Sequence, residues 1–179
     1  MPPTEHRSLR GVSWAGLGVL AEKIRHPDGK VHLWNEHLAR DVERLRASVA
    51  VADDVRLRLI GRRDQRSHNS WMHNVARLME SNRCDLRIHP SDAKRLGIAA
   101  GDCVSLASDV GEIRVTVVLT DELMPGVVCM PHGWGHDRSA GAVAATKPGV
   151  NCNVLIDRRV VEPLSGMSFL NGVPVTLKK

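Results

Sequence analysis

The sequence predicts a mainly β barrel with short helices, preceded by a helical extension. Three observations support this. Residues 55–179 hold several short apolar runs at close spacing, each ended by Gly, Pro or Asp/Asn turn residues, where a doubly wound sheet would alternate its strands with longer helices. The longest run of helical periodicity falls before that region, at residues 36–49. The apolar residues are almost all aliphatic, with one Phe, no Tyr and four Trp, so the core is built of Val, Leu and Ile.

Length and composition bound the rest. A chain of 179 residues suits one domain of ordinary size, or one with a partial second. Its 42% apolar content and 15 glycines exclude a disordered or collagen-like chain. No apolar run approaches the ~18 residues of a membrane span. The opening MPPTEHRSLR carries charge without an apolar stretch, so it does not read as a secretory signal.

The elements follow in order. Residues 1–26 have weak periodicity, and GVSWAGLGVL is too rich in glycine for a clear helix. His26-Pro27-Asp28-Gly29 reads as a turn, Val31 and Leu33 as a short strand, and Asn35 as a helix cap. From Glu36, residues Leu38, Val42, Leu45 and Val49 recur on one helical face, with Arg40, Glu43, Arg44 and Arg46 opposite. Ala52-Asp53-Asp54 ends the segment. VRLRLI, residues 55–60, alternates as a half-buried strand that Gly61 breaks. A polar loop runs from Arg62 to Asn69, and Ser70 caps a helix whose apolar stripe is Met72, Val75, Ala76 and Met79.

Beyond it, LRIHP is a strand ended by Pro90. Ser91 caps a short helix closed by Gly97. Ala100-Gly101-Asp102 turns the chain into CVSLAS. Asp109–Gly111 leads to EIRVTVVLT, and Met124-Pro125-Gly126 to VVCMP. A Gly- and Ala-rich loop spans 132–150, Asn151–Ile156 reads as a further strand, and VPVTL closes or edges the sheet.

Cys84, Cys103, Cys129 and Cys152 are separated by 19, 26 and 23 residues, which is neither a zinc nor an iron–sulfur spacing. They read as structural thiols in a reducing cytoplasm, Cys103 and Cys129 as buried ones. The net charge of +5 is uneven: residues 51–90 hold eight Lys/Arg against five Asp/Glu, and residues 91–150 five against seven. Arg56, Arg58, Arg62, Arg63 and Arg66 make a basic cluster that suits a phosphate-bearing partner.

Three clusters of residues have chemical capacity. In Gly61–Trp71, GRRDQRSHNSW, a strand, a glycine, a polar loop and a helix start supply the parts of an anion site. Helix-end amides and the Arg62, Arg63 and Arg66 forks would face phosphate, with Ser67, Asn69 and Ser70 as short donors. A solvated basic loop would have the same composition. In Pro131–His136, PHGWGH, Trp134 stands between two glycines and His132 and His136. It reads either as a Trp packed beneath a loop or as a loop lining a flat aromatic ligand, and the glycines argue against a helical zinc pair. In Asn151-Cys152-Asn153, an extended segment would set two amides on one face to read a heteroatom-rich ring, whereas turn chemistry would use them locally. His68 and His73 flank the first cluster as hydrogen-bonding or surface residues. No paired-carboxylate or Ser/His/Asp site stands out.

Taken in order, LRLIGRRDQRSHNSWMHN, RIHPSDAKRLGIAAGDCVSLAS, GEIRVTVVLTDELMPGVVCMPHGWGH and GVNCNVL resemble the C-terminal molybdopterin-dinucleotide-binding domain of the molybdopterin oxidoreductases, the dimethyl sulfoxide reductase, formate dehydrogenase and nitrate reductase superfamily. The resemblance runs from about residue 55 to the end. It implies a double-psi β-barrel, aspartate-decarboxylase-like, over residues 55–179, and an N-terminal extension, residues 1–54, that is the tail of a preceding catalytic domain. It implies binding of the molybdopterin guanine dinucleotide cofactor. Carried over, Gly61, Arg62, Arg63, Ser67, His68, Asn69, Ser70 and Trp71 contact the dinucleotide, and His132, Gly133, Trp134, Asn151 and Asn153 face the cofactor.

The superfamily's metal-ligating Ser, Cys or selenocysteine and its iron–sulfur cysteines are not recognisable here. The expectation is a C-terminal cap of a molybdenum or tungsten oxidoreductase, inactive alone, with no catalytic residue, metal ligand or iron–sulfur cluster of its own, and with catalytic domains or a subunit as partner. The alternative is a stand-alone double-psi barrel binding a protein or nucleic acid. The near absence of Phe and Tyr leaves no row of base-stacking rings, so nucleic acid is not expected. A self-processing decarboxylase would need a Gly-Ser dipeptide, and the sequence has none.

Overall fold

The computed structural model describes residues 23–50 and 56–179. The chain divides into two units, Met1–Ala52 and Asp53–Lys179. Among the described residues no helix is long and apolar enough to cross a membrane.

In the first unit, His26–Gly29 forms the expected turn, closed by the Gly29 N–H on His26 O at 2.9 Å. Helix α1 is Glu36–Ala50. Asn35 caps it, Oδ1 accepting the His37 N–H at 2.9 Å, as its residue type predicts. Leu38, Val42 and Leu45 are exposed on the apolar face. The short strand expected at Val31 and Leu33 does not form, since a strand needs a partner to take its backbone bonds. The Gly-rich stretch before residue 23, the stop at Ala52-Asp53-Asp54 and the strand start at Val55 lie outside the described residues.

The second unit is a closed barrel of six strands. They are β1 (Leu57–Arg62), β2 (Asp85–Ile88), β3 (Cys103–Ala107), β4 (Glu112–Leu119), β5 (Val127–Pro131) and β6 (Val173–Lys178). Around the barrel the order is β1-β5-β2-β4-β3-β6. β1 pairs with β5, and β2 with β4, in parallel; the other neighbours are antiparallel. The two halves therefore repeat one pattern about the β5–β2 pair, which is the double-psi arrangement expected. β6, the predicted closing strand, joins β3 to β1.

Alternation builds the core. Leu57 and Leu59, Leu86 and Ile88, Val104 and Leu106, Ile113, Val115 and Val117, and Val175 and Leu177 point inward from successive strands. Each buried aliphatic side chain contributes about 1.5–3 kcal/mol. Cys103 corrects the expectation of a buried thiol: it is exposed at the start of β3 because Val104 and Leu106 take the inward positions. Gly61 does not break β1. The strand continues through the pairs Gly61–Met130 and Arg62–Pro131, held by the parallel neighbour.

The small helices differ from expectation at their starts. Helix α2 is only Ala76–Met79. Helix α3 is Pro90–Leu96; His89, not Ser91, caps it, its ring accepting the Ser91 N–H, with Pro90 at the first helical position, where a missing N–H costs nothing. Gly97 closes it at φ 66° as predicted. Helix α4 is Ala142–Thr146, and Cys152–Leu155 is one 3-10 turn.

Candidate functional site

Three segments separated by many residues meet at one edge of the barrel: the bend after β1, the loop after β5, and the 3-10 turn.

The bend corrects the predicted helix start at Ser70. Residues 65–74 form successive turns, with Met72 N–H on Ser67 O, Trp71 N–H on His68 O and His73 N–H on Ser70 O. His68 and Asn69 take positive φ, 43° and 61°, which no helix tolerates. Ser, His and Asn side chains offer the backbone local alternatives to a helix. Hence no capped helix end presents its amides here, and any anion site must be built of side chains.

The loop after β5 approaches the bend without side chains between them. A Cβ on Gly133, at φ 85°, would lie 2.5 Å from Asn69 O. A Cβ on Gly135, at φ 104°, would lie 2.6 Å from the Asn151 Cβ. The two glycines thus bring the loop against the bend on one side and the 3-10 turn on the other. Between them Trp134 is buried, its ring 4.4 Å from that of His73. Of the two readings of PHGWGH, the packed tryptophan is the one observed.

His73 is fully buried and binds both walls: Nε2 lies 2.9 Å from Ser67 Oγ in the bend, and Nδ1 lies 2.7 Å from His136 Nε2. Burial lowers its proton affinity below the ordinary imidazole value; the neighbouring His136 lowers it further, and Asp64 opposes both.

The Asn151–Ile156 strand does not form. Asn151 caps the 3-10 turn, Oδ1 accepting the Asn153 N–H at 3.0 Å. The two amides therefore do not share an extended face. Asn151 acts in turn chemistry, and Asn153 alone reaches the groove.

That groove holds about 180 Å³. Its floor is apolar, from Leu59, Ile60, Met130 and Ile156; the exposed Leu170 lines it too, with Arg63, His132, Asn153 and Asn171 beside Gly61. Asn171 Oδ1 accepts the Gly61 N–H at 2.8 Å. A second hollow of about 150 Å³ shares Arg63 and His132 and adds Asp64, whose carboxylate is engaged by Arg62, with Gln65, Ser67, His68 and Asn69. At the junction Arg63 Nη1 donates to Asn69 Oδ1 at 2.8 Å, and His132 Nε2 lies 2.7 Å from the same oxygen. His132 donates from Nδ1 to Arg62 O at 3.0 Å.

The structure thus unites Gly61, Arg63, Ser67, His68, Asn69, His132 and Asn153 around two joined hollows. Gly133, Trp134 and Asn151 support the walls from behind. Ser70 and Trp71 are exposed and line neither hollow. Arg62 is set apart: Nε meets Asp64 Oδ1 at 3.1 Å and Nη2 meets Asp85 Oδ1 at 2.9 Å. Burial works against its charge, but the two carboxylates outweigh burial and raise its affinity for the proton. Sequence reasoning missed the apolar floor and Asn171, since Leu and Ile on a strand look the same whether they line a core or a groove.

The four cysteines are free. Among the described residues no group of three or more His, Cys, Asp or Glu could hold a metal ion.

Comparison with known proteins agrees with this architecture. The model of the Molydopterin dinucleotide binding domain family matches residues 57–174. The chain is 35% identical over 94 residues to dimethyl sulfoxide reductase DmsA of Escherichia coli, spanning 52% of this chain and 11% of that one. It is 43% identical over 51 residues to the arsenate respiratory reductase molybdopterin-containing subunit ArrA of Chrysiogenes arsenatis, spanning 28% of this chain and 6% of that one. Its fold resembles part of acetylene hydratase from Pelobacter acetylenicus, with a TM-score of 0.60 at 20% identity, covering 84% of this chain and 21% of that one. The chain therefore spans a small part of the length of its relatives, and it belongs to the molydopterin dinucleotide binding domain family.

Proposed function

We propose that the barrel grips the guanine dinucleotide form of the molybdopterin cofactor as the C-terminal cap of a molybdenum or tungsten oxidoreductase. The observation that carries this reading is that Arg63 and His132 line both a largely apolar hollow and a polar one beside it. A nucleotide presents the same two chemistries, a flat ring with apolar faces and a charged phosphate chain. The donor set fits such a group.

In this reading Arg63 directs its remaining guanidinium N–H groups at phosphate oxygens, a charge-assisted contact. Asn153 and Asn171 offer amides to ring heteroatoms, Asn171 through Nδ2 because its oxygen is engaged by Gly61. Asn69 Oδ1 accepts from Arg63 Nη1 and so aims it. The apolar floor excludes water beneath the ring. The cofactor, when bound, supplies the metal-centred redox chemistry, and this chain holds and orients it. The metal ligand and any iron–sulfur cluster belong to catalytic domains or a partner subunit, so the chain alone is inactive. Residues 1–54 then continue a preceding domain, and the exposed Leu38, Val42 and Leu45 face of α1 is the surface such a domain would cover.

Titration of the full chain with guanosine diphosphate tests the reading. Binding should be tighter than for cytidine or adenosine diphosphate, and Arg63→Ala should weaken it about tenfold. In the assembled enzyme the same substitution should lower molybdenum or tungsten retention. Absence of guanosine diphosphate binding at millimolar concentration, with cofactor content unchanged in the Arg63→Ala enzyme, would overturn it.

A further inference from the structure

β1 ends at Arg62 and Arg63 follows it, and the two side chains go to different places. Arg63 enters the groove. Arg62 enters a separate cavity of about 250 Å³ that shares no lining residue with the groove. Its wall carries four guanidinium groups, from Arg62, Arg66, Arg83 and Arg87, and no apolar side chain.

These four come from the end of β1, the bend, the turn before β2, and β2 itself. Two carboxylates, Asp64 and Asp85, also line the cavity, and both are engaged by Arg62. Arg66 Nη1 donates to Ser81 Oγ at 3.1 Å, and Arg83 Nη1 to the carbonyls of Glu80 and Asn82 at 2.7 and 2.9 Å. Those neutral acceptors anchor the side chains without offsetting their charge. Arg87 meets the exposed Glu122 at 3.3 Å. Four cations against three carboxylates, Glu122 included, leave the wall with one surplus positive charge, carried by Arg66 and Arg83, which have only neutral partners.

We propose that this cavity is a second anion site, for a diphosphate group. Planar guanidinium forks match phosphate oxygens two at a time. The lack of any apolar lining disfavours a hydrocarbon body, and two guanidiniums with only neutral partners, Arg66 and Arg83, suit the two linked phosphates of one anion. The cavity borders the polar hollow through Asp64 and Gln65, but the site stands on Arg66, Arg83 and Arg87, none of which lines either hollow of the cofactor reading. The diphosphate can be inorganic or the charged end of a nucleotide.

The test is calorimetric titration of the full chain with inorganic pyrophosphate at low ionic strength, alongside Arg66→Gln/Arg83→Gln and Arg63→Gln variants whose folding is checked by circular dichroism. Arg66→Gln/Arg83→Gln should weaken binding about tenfold or more, and Arg63→Gln should leave it within about twofold. Adenosine diphosphate following the same variant pattern with tighter binding assigns the group to a nucleotide; equal or weaker binding assigns it to free diphosphate. The proposal fails if pyrophosphate does not bind at millimolar concentration. It also fails if Arg63→Gln abolishes binding that Arg66→Gln/Arg83→Gln retains, or if an acidic peptide binds where pyrophosphate does not.

Discussion

His73 Nδ1 stands 2.7 Å from His136 Nε2, and through that contact a buried ring joins the bend after β1 to the loop after β5. Its other nitrogen holds Ser67. The bend and the loop bear Arg63, Asn69 and His132, so His73 sets the spacing of the groove without lining it.

His73→Phe keeps the ring volume and removes both bonds. It should cost about 2–3 kcal/mol. Because the folded state holds His73 below its ordinary value of 6.5, the unfolded chain binds this proton more readily. Stability is therefore greatest above that value and falls as pH drops beneath it. Urea midpoints measured from pH 8 to pH 5 should fall more steeply in the parent than in His73→Phe. Equal slopes would remove His73 as the source.

Gly133 and Gly101 share a φ of 85° but not their surroundings. Nothing lies within 4 Å of a Cβ at Gly101, whereas at Gly133 the Asn69 carbonyl lies at 2.5 Å. Gly101→Ala should cost only left-handed strain, about 1 kcal/mol. Gly133→Ala should cost roughly 2 kcal/mol more and also reduce guanosine diphosphate affinity, because it forces the bend and loop apart. Thermal midpoints and titrations of the pair separate strain from collision.

Asp92 ties α3 to the turn before β5. Oδ2 accepts the Gly126 N–H at 2.7 Å and Oδ1 accepts from Arg95 at 2.9 Å. Burial disfavours its charge, but these donors outweigh burial and hold the carboxyl below its ordinary value of 3.8. Its stabilisation is present above that value and is lost as pH falls through the lower folded value. Asp92→Ala should lower stability at neutral pH by about 2–3 kcal/mol, read by chemical denaturation.

Arg62, the last residue of β1, and Arg63, the first beyond it, should behave differently. Arg62→Ala leaves Asp64 and Asp85 without their shared cation and should cost about 3 kcal/mol. Arg63→Ala, at an exposed position, should leave the denaturation midpoint nearly unchanged while weakening guanosine diphosphate. Equal destabilisation by the two would contradict their separate placement.

Cys84 is inert where Cys103 is open. Burial pushes the Cys84 thiol up to about 11, and its sulfur sits against the Val150 backbone. At pH 8 about 0.1% of it is thiolate. Iodoacetamide followed by peptide mass spectrometry should label Cys103 first and Cys84 last; comparable rates would show that Cys84 is open in solution.

Much of the barrel was legible from alternation alone. VRLRLI, CVSLAS, EIRVTVVLT and VPVTL each present every second residue to one face, and water enforces that choice locally. The positive-φ turns at Gly97, Gly101 and Gly126 were legible for a similar reason, since few other residues adopt that backbone cheaply. The groove was legible only in part. Its three segments were visible as polar and glycine-rich breaks, but their meeting depends on β1 and β5 lying side by side, a long-range pairing that no local pattern encodes. Tertiary packing turned Trp134 inward against His73, made Asn151 a cap, and sent Arg62 to Asp85 while Arg63 stayed at the rim. Each of those outcomes depends on which partner the closed barrel brings within a few ångströms, and hydrogen bonds and close contacts act only at that range.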